Sequence, residues 1–343
     1  MRNNKALQGG RPMRNYRMDN IRCILIFLVV FGHMLTWIPE ADTPYRIIYL
    51  FHMPAFLFLT GYFSHFNISK ILSQLAYPYI LFQILYLIYD TLVFRDAPIH
   101  EMVLQFSTPY WILWYLQAIL FYRLLIPLLD KVPRWGRGAV FAGSIALALL
   151  SGFVPEFGDF LTAGRFFSFL PFFLSGYYLS QSTWFPKWLG KPLDHIQKWP
   201  LALLGAGIAV WSCLRESSFT SKMLYGSFPY AQGHFGPEVR LLLTLFAFGW
   251  ILALLTLVPD RHIPGISAVG RGTLPIYLLH GFVVRTMAKF QVFHFSYPVN
   301  VLIGFCTALA IVAALGNSKV RKPLHTAMTG EWLERLWRKY ILN

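Results

Sequence analysis

The sequence is short of charged residues, and above all of acidic ones. Only 13% of its 343 residues are charged, and 15 Asp and Glu stand against 30 Lys and Arg. Soluble globular domains carry about 25% charged residues, so this composition excludes an ordinary soluble domain. With 56% hydrophobic residues and a mean hydropathy of +0.50, the chain is expected to fold within a lipid bilayer.

Cysteines are few, and the common motifs of soluble enzymes are absent. Cys23, Cys213 and Cys306 lie in three separate apolar runs, which favours small buried side chains over a disulfide framework. No GxSxG elbow, Walker A loop or GxGxxG fingerprint occurs, so no hydrolase elbow or nucleotide fold is predicted. A metal site is not predicted, because the histidines at membrane depth lack metal-ligand spacing.

Apolar runs bounded by proline, glycine or charged residues predict ten transmembrane helices. The approximate bounds are 21–38, 45–64, 71–94, 109–129, 137–154, 165–181, 199–214, 239–258, 273–290 and 298–316. With the N-terminus inside, 22 of the 30 Lys and Arg lie on the cytoplasmic side, as the positive-inside rule requires. The sequence therefore predicts an all-α, polytopic helical bundle with both termini cytoplasmic, in a cell membrane.

Basic residues flank this predicted domain. Residues 1–20 form a basic tail, 21–316 the transmembrane domain and 317–343 a second basic tail. The last segment, GEWLERLWRKYILN, predicts a short helix in the membrane interface, with a disordered tail as the alternative. The net charge of +15 is interpreted as an orientation signal, and nucleic acid is not an expected partner. The loop over 215–238 either covers an external substrate or is a plain connector.

The first predicted span carries two polar residues on one face. Arg22 and His33 are eleven residues apart, which is three helical turns and roughly 16 Å along the axis. Asp19 precedes Arg22 by three residues and can pair with it. Ionisable groups at membrane depth are costly and mark functional sites. The pattern predicts a path for an anionic substrate that enters at Arg22 and ends at a base, His33.

His33 and two further histidines, His52 and His280, are expected near the middle of their spans. The three imidazoles can share one cavity. Imidazole at that position serves either as the general base of acyl transfer to an alcohol or as a proton relay in transport. For each histidine alone, a structural role is the competing interpretation.

Five short motifs resemble the landmarks of one family of membrane enzymes. The first is an Arg and a His separated by ten residues, Arg22 and His33. The others are FHMPAFLFLTGY at 51–62, WYL at 114–116, FFLSGY at 172–177 and TLPIYLLH at 273–280. In this order, over about 17–316, the chain resembles the membrane acyltransferase-3 family. Within that family it looks most like the stand-alone sugar O-acetylases of the fucose 4-O-acetylase type.

The resemblance implies an integral membrane O-acetyltransferase. Its co-substrate would be acetyl-CoA or another acyl-CoA, with no bound cofactor, and its acceptor a hydroxyl of a cell-envelope glycan or lipid-linked sugar. His33 would be the catalytic residue, as general base or acyl carrier, and Arg22 would handle the donor. Many members carry Arg-x-x-Arg after the second span, whereas this chain has SHFNISKILSQLAYPY at 64–79, with Lys70 its one cation.

Two sets of site residues follow. The expected donor-binding residues are Arg22, Asp19, Lys70 and Arg123. The expected acceptor or cavity residues are His52, His280, Trp114, Tyr115, Gln117, Arg165, Tyr277, Glu238 and Arg240. The competing function is a transporter of a glycan, a lipid-linked sugar or a small anion, although the sequence has no inverted repeat typical of such proteins. The oligomeric state is not predicted.

Overall fold

The computed structural model describes residues 7–8, 11–12, 15–94, 105–185 and 220–332. Within these ranges the regular structure is helical, apart from a pairing of two short strands. β1 (Leu7–Gln8) and β2 (Arg11–Pro12) are antiparallel, with Leu7 opposite Pro12 and Gln8 opposite Arg11. The predicted all-α fold is confirmed.

The helices are numbered in chain order. They are α1 (Tyr16–Leu35), α2 (Asp42–Phe63), α3 (Ile68–Ile71, Leu72–Ala76, Tyr77–Tyr89 and Asp90–Phe94, the second and fourth π-helical), α4 (Trp114–Asp130), α5 (Arg137–Leu150), α6 (Ala163–Ser180), α7 (Tyr230–Gly233), α8 (Pro237–Leu257), α9 (Ile266–Gly270), α10 (Leu274–Lys289), α11 (Tyr297–Gly316) and α12 (Ser318–Met328). Short 3₁₀ turns precede or follow several of them, at Pro39–Ala41, Trp111–Leu113, Arg134–Gly136, Ser151–Phe153, Pro155–Phe157, Phe160–Thr162 and Ser221–Leu224.

Within the described ranges, seven helical segments are long and apolar enough to cross a membrane. They are Tyr16–Leu35, Pro39–Phe63, Ile68–Val93, Trp111–Asp130, Arg134–Phe153, Pro237–Leu257 and Tyr297–Gly316. These segments match seven of the ten predicted spans, and the chain is a polytopic membrane protein. α6 and α10 correspond to the predicted sixth and ninth spans but are not among the seven, and α10 has only 16 residues. The predicted seventh span, 199–214, and 333–343 of the predicted interfacial helix lie outside the described ranges.

α1 begins at Tyr16, five residues before the predicted start of the first span. Its N-cap is Asn15, whose side chain accepts a hydrogen bond from the Met18 N–H at 3.1 Å, as capping asparagines do. Because the helix starts early and ends at Leu35, His33 lies in its last turn. The expectation that His33 lies near the middle of the first helix is therefore wrong.

Hydrogen bonds in the first turns of α1 fix its position against residues 259–267. The Asn20 side chain donates to the carbonyls of Pro259 and Arg261 at 3.1 and 3.0 Å and accepts from the Ser267 hydroxyl at 2.7 Å. A Cβ on Gly270 would lie 1.7 Å from the Asp19 carbonyl oxygen, so α9 packs directly on the backbone of α1. These contacts fix the height of every side chain on α1.

α2 and α6 cross in backbone contact through two matching glycines. The strings FLTGY at 58–62 and FLSGY at 173–177 share this glycine. A Cβ on Gly61 would lie 2.0 Å from the Phe173 carbonyl oxygen, and one on Gly176 would lie 2.0 Å from that of Phe58. Small residues permit such close approach of membrane helices. The crossing fixes the two helices that carry His52 and Arg165.

Candidate active site

A cavity of about 260 Å³ lies between α1, α2, the start of α4, α6 and α10. Its walls are largely aromatic and include Tyr45, Tyr49, Trp111, Trp114, Tyr225 and Tyr277. Three basic side chains also line it: His33, His52 and Arg165. A larger cavity of about 670 Å³, between α5 and α6, contains none of the predicted site residues. Of the three histidines expected to share one cavity, His33 and His52 line this one and His280 does not.

His33 is bonded to a second imidazole. Its Nδ1 lies 3.1 Å from Nε2 of His280, whose own Nδ1 lies 3.0 Å from the Ile276 carbonyl oxygen. A carbonyl oxygen only accepts, so Nδ1 of His280 carries hydrogen and its Nε2 accepts when the ring is neutral. His33 therefore donates from Nδ1 to His280. The tautomer assigned from this network leaves a lone pair on His33 Nε2.

His280 lies behind His33, not on the cavity wall. It is fully buried, and α10 is anchored next to it by Tyr86, whose hydroxyl donates to the Leu278 carbonyl at 2.8 Å. A Cβ on Gly281 would lie 2.2 Å from that same hydroxyl oxygen, so the glycine lets Tyr86 approach. The arrangement holds the acceptor nitrogen of His280 against His33.

α2 brings His52 close to His33. Gly32 permits this, because a Cβ there would lie 3.2 Å from the side chains of both Ile48 and Tyr49. Nδ1 of His52 donates to the Ile48 carbonyl at 2.7 Å, and the ring is 1% exposed. The two imidazoles are near enough to interact electrostatically. Among the described residues, no group of three or more His, Cys, Asp or Glu side chains is arranged to hold a metal ion.

Trp111 is a wall residue that the sequence analysis missed. Its ring lies edge-on to His33, with centroids 5.0 Å apart. Its backbone has φ = +39°, a left-handed conformation that costs a bulky residue about 1–3 kcal/mol and concentrates at functional sites. Its nearness in sequence to Trp114, a predicted cavity residue three positions later, could have indicated it.

An ion pair inside the bundle supports this wall from behind. Asp90 of α3, 1% exposed, pairs with Arg285 of α10. The Arg285 guanidinium lies 5.5 Å from the ring of Tyr110 and 5.9 Å from that of Trp111. The pair therefore joins α3, α10 and the turn before α4. Sequence analysis did not identify it.

The far end of the cavity is lined by hydroxyl groups and one arginine. The hydroxyls of Tyr45 and Tyr225 are hydrogen-bonded to each other. Arg165 pairs with Asp159, and its guanidinium lies 5.3 Å from the Trp114 ring. Tyr225 belongs to the loop predicted over 215–238, of which 220–238 is described. This part of the loop covers the cavity and is not a plain connector.

Three of the four predicted donor residues gather near the other end of α1 and α4. Arg22 lies 3.9 Å from Asp19, and its guanidinium stacks 4.2 Å from the ring of Phe63. The charges of Arg22 and Arg123 both act on Tyr115. Lys70, the fourth, is exposed at the start of α3. Arg22 and Arg123 are thus both within electrostatic range of Tyr115.

The family model Acyl_transf_3, described as an acyltransferase domain, matches residues 15–316. The chain belongs to this acyltransferase family. It is also similar to nodulation protein NolL of Mesorhizobium japonicum, with 25% identity over 346 residues that cover 91% of this chain and 87% of that protein. No solved structure matches the chain. The resemblance seen in the short motifs is confirmed.

Two predicted wall residues of this acyltransferase lie beside the cavity without lining it. Tyr115 shares a 2.7 Å hydrogen bond with Thr60, and its ring centroid is 5.5 Å from that of Tyr277. Gln117 donates to the Phe106 carbonyl at 3.2 Å and accepts from the Thr162 hydroxyl at 2.6 Å. Its amide holds loop segments together, so Gln117 belongs to the scaffold.

Arg240 and Glu238 are also away from the cavity of the acyltransferase. Arg240 is 5% exposed and donates to the carbonyls of Ala148 and Phe228 at 3.1 and 3.0 Å. It thereby joins α5, α8 and the loop before α7. Glu238 is exposed in the first turn of α8. Their position on the same side of the membrane as the loop suggested a substrate contact, but buried polar side chains also serve to satisfy backbone groups.

Proposed function

We propose that this acyltransferase is an integral membrane O-acetyltransferase of a bacterial cell membrane. It transfers an acetyl group from acetyl-CoA, without a bound cofactor, to a hydroxyl of a cell-envelope glycan or lipid-linked sugar. The proposal rests on one observation: the hydrogen-bonded chain from Ile276 through His280 to His33 leaves a basic nitrogen on a cavity wall. Aromatic walls around that nitrogen suit a sugar ring.

His33 acts as the general base. The acceptor hydroxyl donates to Nε2, and as its oxygen attacks the thioester carbonyl the proton passes to that nitrogen. The resulting imidazolium is stabilised in two ways. Its Nδ1–H bond to His280 becomes charge-assisted, and the C-terminal turn of α1 favours positive charge. When the carbon–sulfur bond breaks, the proton returns to the leaving thiolate of CoA.

The donor and the acceptor approach from opposite sides. Acetyl-CoA carries several phosphate charges, which Arg22 and Arg123 attract from the cytoplasm while Asp19 orients the Arg22 guanidinium. Lys70 adds charge at the same side. The acceptor enters past Arg165 and the loop that contributes Tyr225. The thioester carbonyl and the hydroxyl then meet at His33.

Turnover of radiolabelled acetyl-CoA by purified protein tests the proposal. Wild type should release labelled acetate or label an added membrane glycan, and His33→Ala should reduce this turnover at least about 100-fold, as loss of a general base does. Leu309→Ala, on the exposed face of α11, is the matched control and should keep wild-type turnover. Equal turnover in His33→Ala would overturn the role of His33, and none in wild type would favour the transporter.

A further inference from the structure

His52 presents a second basic nitrogen to the same cavity. Its Nδ1 hydrogen is bonded to the Ile48 carbonyl, so Nε2 of the neutral ring bears a lone pair. Within 15–94, 105–185 and 220–332 that nitrogen has no hydrogen-bond partner, although the side chain is 99% buried. The residue lines the cavity, and the bonded Nδ1 faces its own helix, so Nε2 is the cavity-facing atom.

A buried acceptor without a donor is costly. A buried polar group that lacks a partner destabilises the fold, and an apolar side chain at position 52 would avoid that cost. The groups packed around it do not supply a donor: the Tyr49 ring is edge-on with centroids 4.7 Å apart, and the base nitrogen of His33 is itself an acceptor. The donor that His52 requires must therefore come from whatever fills the cavity.

One hydroxyl cannot satisfy both histidines. A hydroxyl carries one hydrogen, and the reacting hydroxyl donates it to His33. When the acceptor fills the cavity and displaces water, the donor to His52 is a second hydroxyl of the same molecule. The cavity volume of about 260 Å³ lies just below the range of about 300–1,000 Å³ typical of small-molecule pockets, which suits one sugar ring and not an oligosaccharide.

We infer that His52 accepts a hydrogen bond from a second hydroxyl of the acceptor, so that the enzyme selects a diol over an alcohol with a single hydroxyl. This inference rests on the proposed function. It assigns the two cavity histidines different roles. His33 takes the proton of the reacting hydroxyl, and His52 accepts a hydrogen bond from the neighbouring hydroxyl. The acceptor is thus a single sugar residue offering two hydroxyl groups on one side of its ring.

Two small alcohols of similar shape test this selection. Ethane-1,2-diol has two equivalent hydroxyls and 2-methoxyethanol has one, so the rates are compared per reactive hydroxyl. The second oxygen of the ether has no hydrogen to donate. Purified protein is given radiolabelled acetyl-CoA and either alcohol, and the labelled ester and free acetate are both measured. We expect the diol to be acetylated about tenfold more efficiently than the ether, the effect of one or two hydrogen bonds.

Variants at position 52 assign the selection to this residue. His52→Phe keeps a ring and removes the acceptor, so the diol-to-ether ratio should fall to about one. His52→Gln restores an acceptor oxygen near the place of Nε2 and should recover most of the ratio. Leu309→Ala serves again as the control and should keep it.

Free acetate separates failure of this inference from failure of the enzyme assignment. A wild type that acetylates both alcohols equally, or that releases acetate but acetylates neither, overturns the inference while the acyl-CoA chemistry stands. A wild-type ratio that His52→Phe leaves unchanged overturns the role of His52. Absence of both acetate and ester with folded wild type overturns the proposed function, and this inference with it.

Discussion

Removal of His280 should impair catalysis although this residue does not line the cavity. Its Nε2 lies 3.1 Å from Nδ1 of His33 and accepts the hydrogen bond from that atom. During the reaction this hydrogen bond stabilises the positive charge of the His33 imidazolium. Hydrogen bonds to charged groups contribute about 1.5–3 kcal/mol, which corresponds to about 10- to 150-fold in kcat. His280→Phe, which keeps most of the buried volume, should show this loss.

The variant should leave donor binding largely intact. His280 lies behind His33 and belongs to a different helix from those that carry Arg22 and Arg123. The KM for acetyl-CoA should therefore change less than about twofold, and the variant should mainly lower kcat. His280→Gln can accept from His33 through its amide oxygen and should recover part of the rate. Initial rates of acetate release over a range of acetyl-CoA concentrations give both constants. A His280→Phe enzyme with wild-type kcat, or a Gln variant no better than the Phe variant, would refute the tautomer assignment.

Three further predictions concern the donor site, the helix crossing and the buried ion pair. Arg22→Ala should raise the KM for acetyl-CoA about tenfold with a smaller change in kcat. The control Lys319→Ala, at an exposed position on α12, should leave this KM unchanged. Equal KM values for the two variants in steady-state assays would contradict the prediction. Gly61→Ala should lower the Tm by several degrees or prevent folding, because its Cβ would lie 2.0 Å from a carbonyl oxygen. Gly143→Ala is the control and should leave the Tm unchanged, because a Cβ at Gly143 would have no heavy atom within 4 Å. Equal Tm values for the two variants would be inconsistent with the crossing of α2 and α6. Asp90→Leu should destabilise the protein by about 3–5 kcal/mol by removing the partner of Arg285, and the double variant with Arg285→Leu should recover much of this in thermal unfolding; no recovery would count against a direct ion pair.

Local sequence patterns were sufficient to predict where the helices lie and which residues share one face of a helix. Apolar runs located α1 to α6 and α8, α10 and α11 within several residues, because span length and hydropathy are local properties. The spacing of Arg22 and His33 also placed them on one helix. The position of His33 in the last turn of α1 was missed because the helix ends at Leu35, before the predicted end of the span at 38.

Relations between helices could not be read in the same way. His33 and His280 are 247 residues apart, and nothing in either local pattern indicates that these two rings meet while His52 remains apart. The left-handed backbone of Trp111 and the pairing of Asp90 with Arg285 likewise depend on packing. Gln117 and Arg240 show the opposite error, since a polar side chain in a bundle can bind loop carbonyls as readily as substrate.

The three histidines His33, His52 and His280 differ in the hydrogen bonds that they make. His52 and His280 each donate from Nδ1 to a carbonyl four residues earlier, so each offers Nε2 as an acceptor. One of these acceptors is occupied by the His33 ring and the other is open to the cavity. His33 is thereby oriented by a neighbour and left basic at Nε2, whereas His52 is available to an incoming donor. Both rings are hydrogen-bonded to their own helix, and they differ in the neighbour of Nε2. Nε2 of His280 faces His33, so His280 positions that ring, whereas Nε2 of His52 faces the cavity and contacts the substrate.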